Sequence, residues 1–441
     1  KDFIWLLDPH RQKNGETSTY LGLEEFFEKF PNQLIERLDD DAWPHIKKEE
    51  GVRRGIYKPG TTDLLNNGEK LTEVESKHVN ELIKNKNIRD KYCNEFKLAI
   101  VDYLMGCSIR WHRHYIKCKK EGFFTSNKPT LKEIEEIEYN NSKSTIAGYK
   151  PFPYHAMMFN LAYINESQGS IIILIDLLWK EIKEEWANTK KDNWINDNIF
   201  TTILEKQIEK SLRFETSVPS VNELENFIEN AIKISEKTIY DNDKYIYLLN
   251  SRDEGSVLQY DSLSPEIRPK KAAIIVGGNI LSRGLTIENL SVTVFARSQV
   301  MSLGDTNLQM CRWFGHKKGS IDLQTVYMQG HSQELFQSIS EADKELRSQF
   351  KYHIYNKIPN KCLLLALFNS PLFQSTSPTK MRNSGKGEQS YSGITVDLLQ
   401  HIQKDTFLEN NRILEEYLDE LKKTHQGDKA FDRATVYRNV P

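Results

Sequence analysis

Apolar residues recur along the chain with two different periods, and the change from one to the other is the first clue to architecture. Up to about residue 240 the spacing is helical. Leu98, Val101, Met105 and Ile109 stand three and four apart, which puts them on one helix face. Stretches over 23–30, 32–38, 131–137 and 167–211 share that spacing, and so does 222–234, with Leu224, Phe227, Ile228 and Ile232 on one side. Residues 171–179 are apolar all round and predict a buried segment. From 244 onward short β-branched runs take over. They predict strands at 245–249, 272–276, 291–296 and 323–328, alternating with helices at 306–314 and 332–350. Strand–loop–helix alternation of this kind builds a parallel sheet with crossover helices. The expected fold class is therefore α/β, a parallel sheet with flanking helices plus largely helical N-terminal and C-terminal extensions. The expected units are 1–94, helical or irregular; 95–350, the α/β domain with helical insertions; and 351–441, mainly helical, with further helices over 396–422.

Composition narrows the classes. A chain of 441 residues is long enough for about three structural units. Its net charge of −2 excludes a globally basic nucleic-acid coat but permits a local basic patch. The apolar run 171–175 is cut by Asp176, and no uninterrupted apolar run approaches the ~18 residues a membrane span needs. The chain opens on Lys1 without a signal-like layout, so a fragment or processed chain is expected, in the cytoplasm. Five widely spaced cysteines with no CxxC argue against a disulfide framework or a cysteine zinc site.

Two segments carry candidate chemistry. The helix over 98–109 continues into Arg110, Arg113, Lys117 and Lys120, again three and four apart, with Trp111, His112, His114 and Tyr115 between them. This stripe reads either as a solvated helix end or as a row of phosphate contacts to double-stranded DNA, helped by Lys380 and Arg382. The second segment runs from Val276 to Arg312. A strand ending in Gly277-Gly278-Asn279 frees backbone N–H groups, and Ser282-Arg283-Gly284-Leu285 adds a turn with a cation. Asp305, Gln309 and Arg312 are spaced to share one helix face. Gln and Arg beside a glycine-rich strand end suit a triphosphate, Arg meeting charge on the γ-phosphate and Gln orienting a ligand or water. A structural Arg–Asp network is the competing reading.

The same residues resemble a known family. Leu281 to Ile287 is similar to motif V of superfamily-two helicases, and Gln309 to Arg312 resembles a shortened motif VI. More closely, Gly277, Gly278, Asn279, Leu281, Ser282, Arg283, Gly284, Leu285, Thr286 and Leu290 resemble the first half of the Z1 domain pattern. Arg297, Asp305, Thr306, Gln309, Met310, Arg312, Trp313, Phe314, Gly315, Gly319, Asp322 and Leu323 resemble the second. Weaker echoes extend the likeness over about 95–385. Cys311, His316 and Lys317 depart from the pattern, and Lys317 lacks the planar fork of the arginine it replaces.

The resemblance implies a RecA-like domain that completes a cleft for ATP with Mg2+, as part of an ATP-dependent DNA translocase in a prokaryotic restriction-modification or phage-defence system. Arg312, Gln309 and Asp305 would act in catalysis. Gly278, Asn279, Ser282, Arg283, Gly284 and Lys317 would bind nucleotide. No GxxxxGK[ST] loop occurs in the 441 residues, so the implied partners are an upstream RecA-like lobe with that loop and a nuclease or methyltransferase. The family's endonuclease label makes an intrinsic nuclease the first alternative, and a scaffold docking a motor to its nuclease the second. A metal-dependent nuclease needs clustered carboxylates and a lysine. Glu73, Glu75 and Lys77, expected in a loop, are poor candidates, as is Asp322 near Lys317 and Lys318. His112 and His114 lack a nearby carboxylate, so no metal site is expected. His155 reads as a core histidine rather than a base.

Overall fold

The structure, a computed structural model, describes residues 20–40, 42, 71–126, 128–143, 146–161, 165–240, 247–249, 258, 260, 269–278, 287–296, 304–317, 319–355, 412–413 and 415–416. Two compact units are present, 1–382 and 383–441, and nearly all described residues lie in the first.

In chain order the first unit contains β1 (Tyr20–Leu21), a π-turn (Glu25–Lys29), one helical turn (Pro31–Leu34) and β2 (Ile35–Leu38). Helices α1 (Leu71–Lys84), α2 (Lys86–Tyr92), α3 (Asn94–Lys120) and α4 (Leu131–Lys143) lead to β3 (His155–Asn160). Three more follow, α5 (Asn165–Lys191), α6 (Ile199–Arg213) and α7 (Val221–Tyr240). Then come β4 (Tyr247–Leu249), β5 (Ala272–Gly277), β6 (Leu290–Phe295), α8 (Gly304–Met310), β7 (Gly315–His316), β8 (Thr325–Gln329) and α9 (Gly330–Tyr355).

Six strands form one all-parallel sheet in the order β2-β8-β6-β3-β5-β4. Strand β3 is central. The chain leaves it for the β4 edge, returns through β5, then crosses to β6 and β8 on its other side. That reversal is a topological switch point, and open parallel sheets bind ligands there, beyond the carboxyl ends of their strands.

Alternation along the strands divides the core in two. Met157, Phe159, Ile274, Val276, Val292 and Val294 face α3, α5 and α7. Ala156, Met158, Ile275, Phe295, Val326 and Met328 face Met310, Trp313, Phe336 and the aromatic pair Phe26 and Phe27. Both faces are covered, which is why β3, β5, β6 and β8 are buried at every position.

Two expectations need correcting. Residues 35–38 form the edge strand β2, paired in register with β8, not the end of a helix. Sheet pairing overrides a four-residue helical pattern. The N-terminal segment thereby contributes a strand to the main sheet. Glu73, Glu75 and Lys77 lie on α1, not in a loop. The expected helices over 396–422 fall almost wholly outside the described residues.

Candidate functional site

The glycine-rich strand end lies where the switch point is. Residue by residue, β3 runs beside β5, with Phe159 opposite Val276, and beside β6, with Asn160 opposite Phe295. Gly277 and Gly278 therefore close β5 next to the carboxyl end of the central strand. Asn160 is fully buried there, and neither its Oδ1 nor its Nδ2 has a hydrogen-bond partner. Asn279, Ser282, Arg283 and Gly284 lie outside the described residues.

Helix α8 carries Asp305, half-buried, and Gln309, exposed, one turn apart. The helix stops at Met310 instead of continuing to 314. Arg312 sits in the following turn, its backbone N–H donating to the Met310 carbonyl at 2.7 Å. It therefore does not extend the face shared by Asp305 and Gln309. The cause is local. Trp313 turns fully inward, edge-on to Phe295 at 5.5 Å and Phe336 at 6.0 Å. Gly315, at φ +138°, then feeds β7, which pairs antiparallel with β1. Burial pulls the half-buried Arg312 guanidinium below its usual pKa.

Lys317 is at the other end of the sheet. Its Nζ donates to the carbonyl of Leu290, the first residue of β6, at 2.8 Å. Five further strand residues, Ser291 to Phe295, at ~3.3 Å each separate that carbonyl from the carboxyl edge. Lys317 therefore does not join the glycine pair. Burial, reinforced by Arg110, lowers its pKa to about 7.

Arg110 and Arg113 are likewise structural rather than DNA-facing. Arg110 is buried and uses every arm of its guanidinium. Nε donates to His155 Nδ1 at 3.1 Å, Nη1 to Asn289 Oδ1 at 2.9 Å, and Nη2 to Ser291 Oγ at 2.8 Å. Burial lowers its pKa to about 10. Burial and then Arg110 push His155 well below the usual histidine range, so the ring is neutral. Arg113 makes a bidentate pair with the fully buried Asp322, at 3.1 and 2.6 Å, and donates to the Ser217 carbonyl. Thr216 Oγ1 completes the carboxylate at 2.9 Å. Lys117 and Lys120, farther along α3, are exposed. Helix α3 turns its inner arginines toward the amino ends of β3, β6 and β8, where they join strands that the chain reaches much later.

A family model described as the Z1 domain matches residues 136–372, more than half of the chain. The chain belongs to the Z1 domain family. No curated protein and no solved structure matches it. The matched span holds the sheet from β3 through β8, with α8 and Trp313, but not α3 or β2. Residues on both sides of the switch point thus belong to the Z1 domain proper, while α3 braces it from outside the matched span.

Sequence reasoning missed Asn160, Asn289, Ser291 and the second buried network. In that network Asp102 accepts from Gln207 Nε2 at 2.7 Å and Thr325 Oγ1 at 2.5 Å, and Lys210 Nζ donates to Thr325 Oγ1 at 2.6 Å. Asn289 did leave a signal, since it adopts φ +51°, a left-handed conformation that asparagine tolerates better than most residues. His112 and His114 turn to different partners, Glu223 and the Lys150 carbonyl. Among the described residues no group of three or more His, Cys, Asp or Glu side chains could hold a metal ion. No helix among them is long and apolar enough to cross a membrane.

Proposed function

We propose that this Z1 domain chain is the helicase-like lobe of an ATP-dependent DNA translocase of a prokaryotic restriction-modification or phage-defence system. It would close a nucleotide cleft whose other wall carries the Walker A loop, while a partner nuclease or methyltransferase acts on the DNA. The observation that carries this reading is the glycine pair closing β5 beside the central strand at the switch point. Two features there fit a nucleotide: a strand end without side chains, and the orphaned buried amide of Asn160. Arg312 would meet negative charge developing on the phosphates, and Gln309 with Asp305 would orient groups at the cleft edge. Bound Mg2+-ATP would supply the phosphoryl group and a counter-charge to its oxygens.

Photo-crosslinking the whole chain with an azido-ATP in the presence of duplex DNA tests this. Labelled peptides should come from the carboxyl ends of β3, β5 and β6. Labelling confined to the Lys317 and Arg110 end, or Mg2+-dependent DNA cleavage by the chain alone without nucleotide, would overturn it. The first outcome would move the site, and the second would make the domain a nuclease.

A further inference from the structure

Among the described residues, three buried polar groups on one face of the sheet have no partner: both amide atoms of Asn160, Thr293 Oγ1 and Trp313 Nε1. All three residues are fully buried. Strand alternation puts Asn160 with Ala156 and Met158, and Thr293 with Phe295, on the face covered by Trp313. Buried polar side chains are normally hydrogen-bonded, so a cluster of orphans asks for a missing partner.

The surroundings of Asn160 say what kind. On its β5 side the register places Gly277, which shares the face of Ile275 and contributes no side chain. On its β6 side stands Phe295, with the Trp313 ring edge-on to it at 5.5 Å. The amide is thus flanked by bare backbone on one side and an aromatic wall on the other, at the carboxyl end where ligands enter parallel sheets. Phosphate offers acceptors only and would leave Oδ1 unpaired. A carboxamide with both atoms free matches a planar group that presents a donor next to an acceptor. Adenine does so on its N6/N7 edge, which asparagine reads in bidentate fashion.

We propose that Asn160 reads an adenine edge, so that the cleft selects its ligand by base as well as by phosphate. This deepens the nucleotide reading above and rests on it. The adenine could come from free ATP or from a base of a nucleic-acid strand, and the two are separable.

The test compares the full chain with Asn160→Leu, an apolar near-isostere, by thermal unfolding and by equilibrium binding of ATP, GTP, tripolyphosphate and oligo-dA. Without ligand, Asn160→Leu should melt higher than the wild type, because it removes an unpaired buried amide. It should bind the adenine ligand at least tenfold more weakly while tripolyphosphate affinity is unchanged. The source is ATP if only ATP binding falls, and a strand if only oligo-dA binding falls. A lower melting temperature for free Asn160→Leu would overturn the proposal by revealing an internal partner such as a buried water. Unchanged binding of both ATP and oligo-dA in the variant would also overturn it, while the wider nucleotide reading survived. Failure of the wild type to bind any of the four probes would sink both together.

Discussion

At the scale of single residues, the two arginines of α3 illustrate how burial reassigns a charge. Arg113 and Asp322 form a pair whose acid is fully buried, so removing the arginine strands a carboxylate in the interior. Arg113→Ala should cost about 3–5 kcal/mol in urea unfolding, whereas losing both members to apolar residues should cost much less. Lys317 gives the matching prediction in pH. Its folded pKa of about 7 lies below its ordinary value of 10.5, so the unfolded chain binds more protons between those limits. Stability should therefore rise with pH from about 7 toward 10.5, by at most about 1.4 kcal/mol per unit from this group. Below pH 7 the penalty of the buried ammonium is constant. Lys317→Met should remove that slope, measured as urea midpoints across the window, and an unchanged slope would assign it to another group.

At the scale of elements, legibility followed the pattern of burial. Helix α3 could be read because Leu98, Val101, Met105 and Ile109 repeat on one side, and β5 because 272–276 is apolar and ends on glycine. Strand β3 could not be read. Its His-Ala-Met-Met-Phe-Asn run is buried on both faces, so it shows no alternation, and its residues have little β-branching. The end of α8 was hidden because the inward turn of Trp313 depends on Phe336, far along the chain. The Arg110 network was hidden for the same reason, since its partners lie 45 to 181 residues away. The glycine pair was visible, but the orphaned amide beside it became visible only through the register. Helix α3 also sits close to the sheet. A Cβ added at Gly106 would meet His155 Cε1 at 3.2 Å, and Arg110 and Ser291 hold that ring in place. Gly106→Val should thus cost about 1–3 kcal/mol, seen as a lower denaturant midpoint. Gly106→Ala should fall short of the ~1 kcal/mol that helix propensity alone would add.

At the scale of the whole molecule, a net charge of −2 means that any attraction to duplex DNA must come from a local surface. With Arg110 and Arg113 engaged in the interior, the stripe on α3 keeps Lys117 and Lys120 as its outward cations. Each phosphate contact contributes about −0.9 to the slope of log affinity against log salt. The double variant Lys117→Ala, Lys120→Ala should therefore flatten that slope by roughly 1.8 for duplex DNA, with sequence preference untouched because phosphates carry no sequence. Arg113→Ala gives the contrasting result. It should lower stability while leaving the salt slope of the folded fraction where it was, since its guanidinium faces Asp322 and not solvent phosphate. Fluorescence anisotropy on a labelled duplex at four or five salt concentrations, run well below the melting temperature of each variant, separates the two effects. A slope that responds to Arg113 but not to the lysines would mean that α3 rearranges on DNA, releasing the arginine from its buried acid. A slope that responds to neither would place the DNA surface on another part of the molecule and leave α3 as the brace of the sheet's amino end.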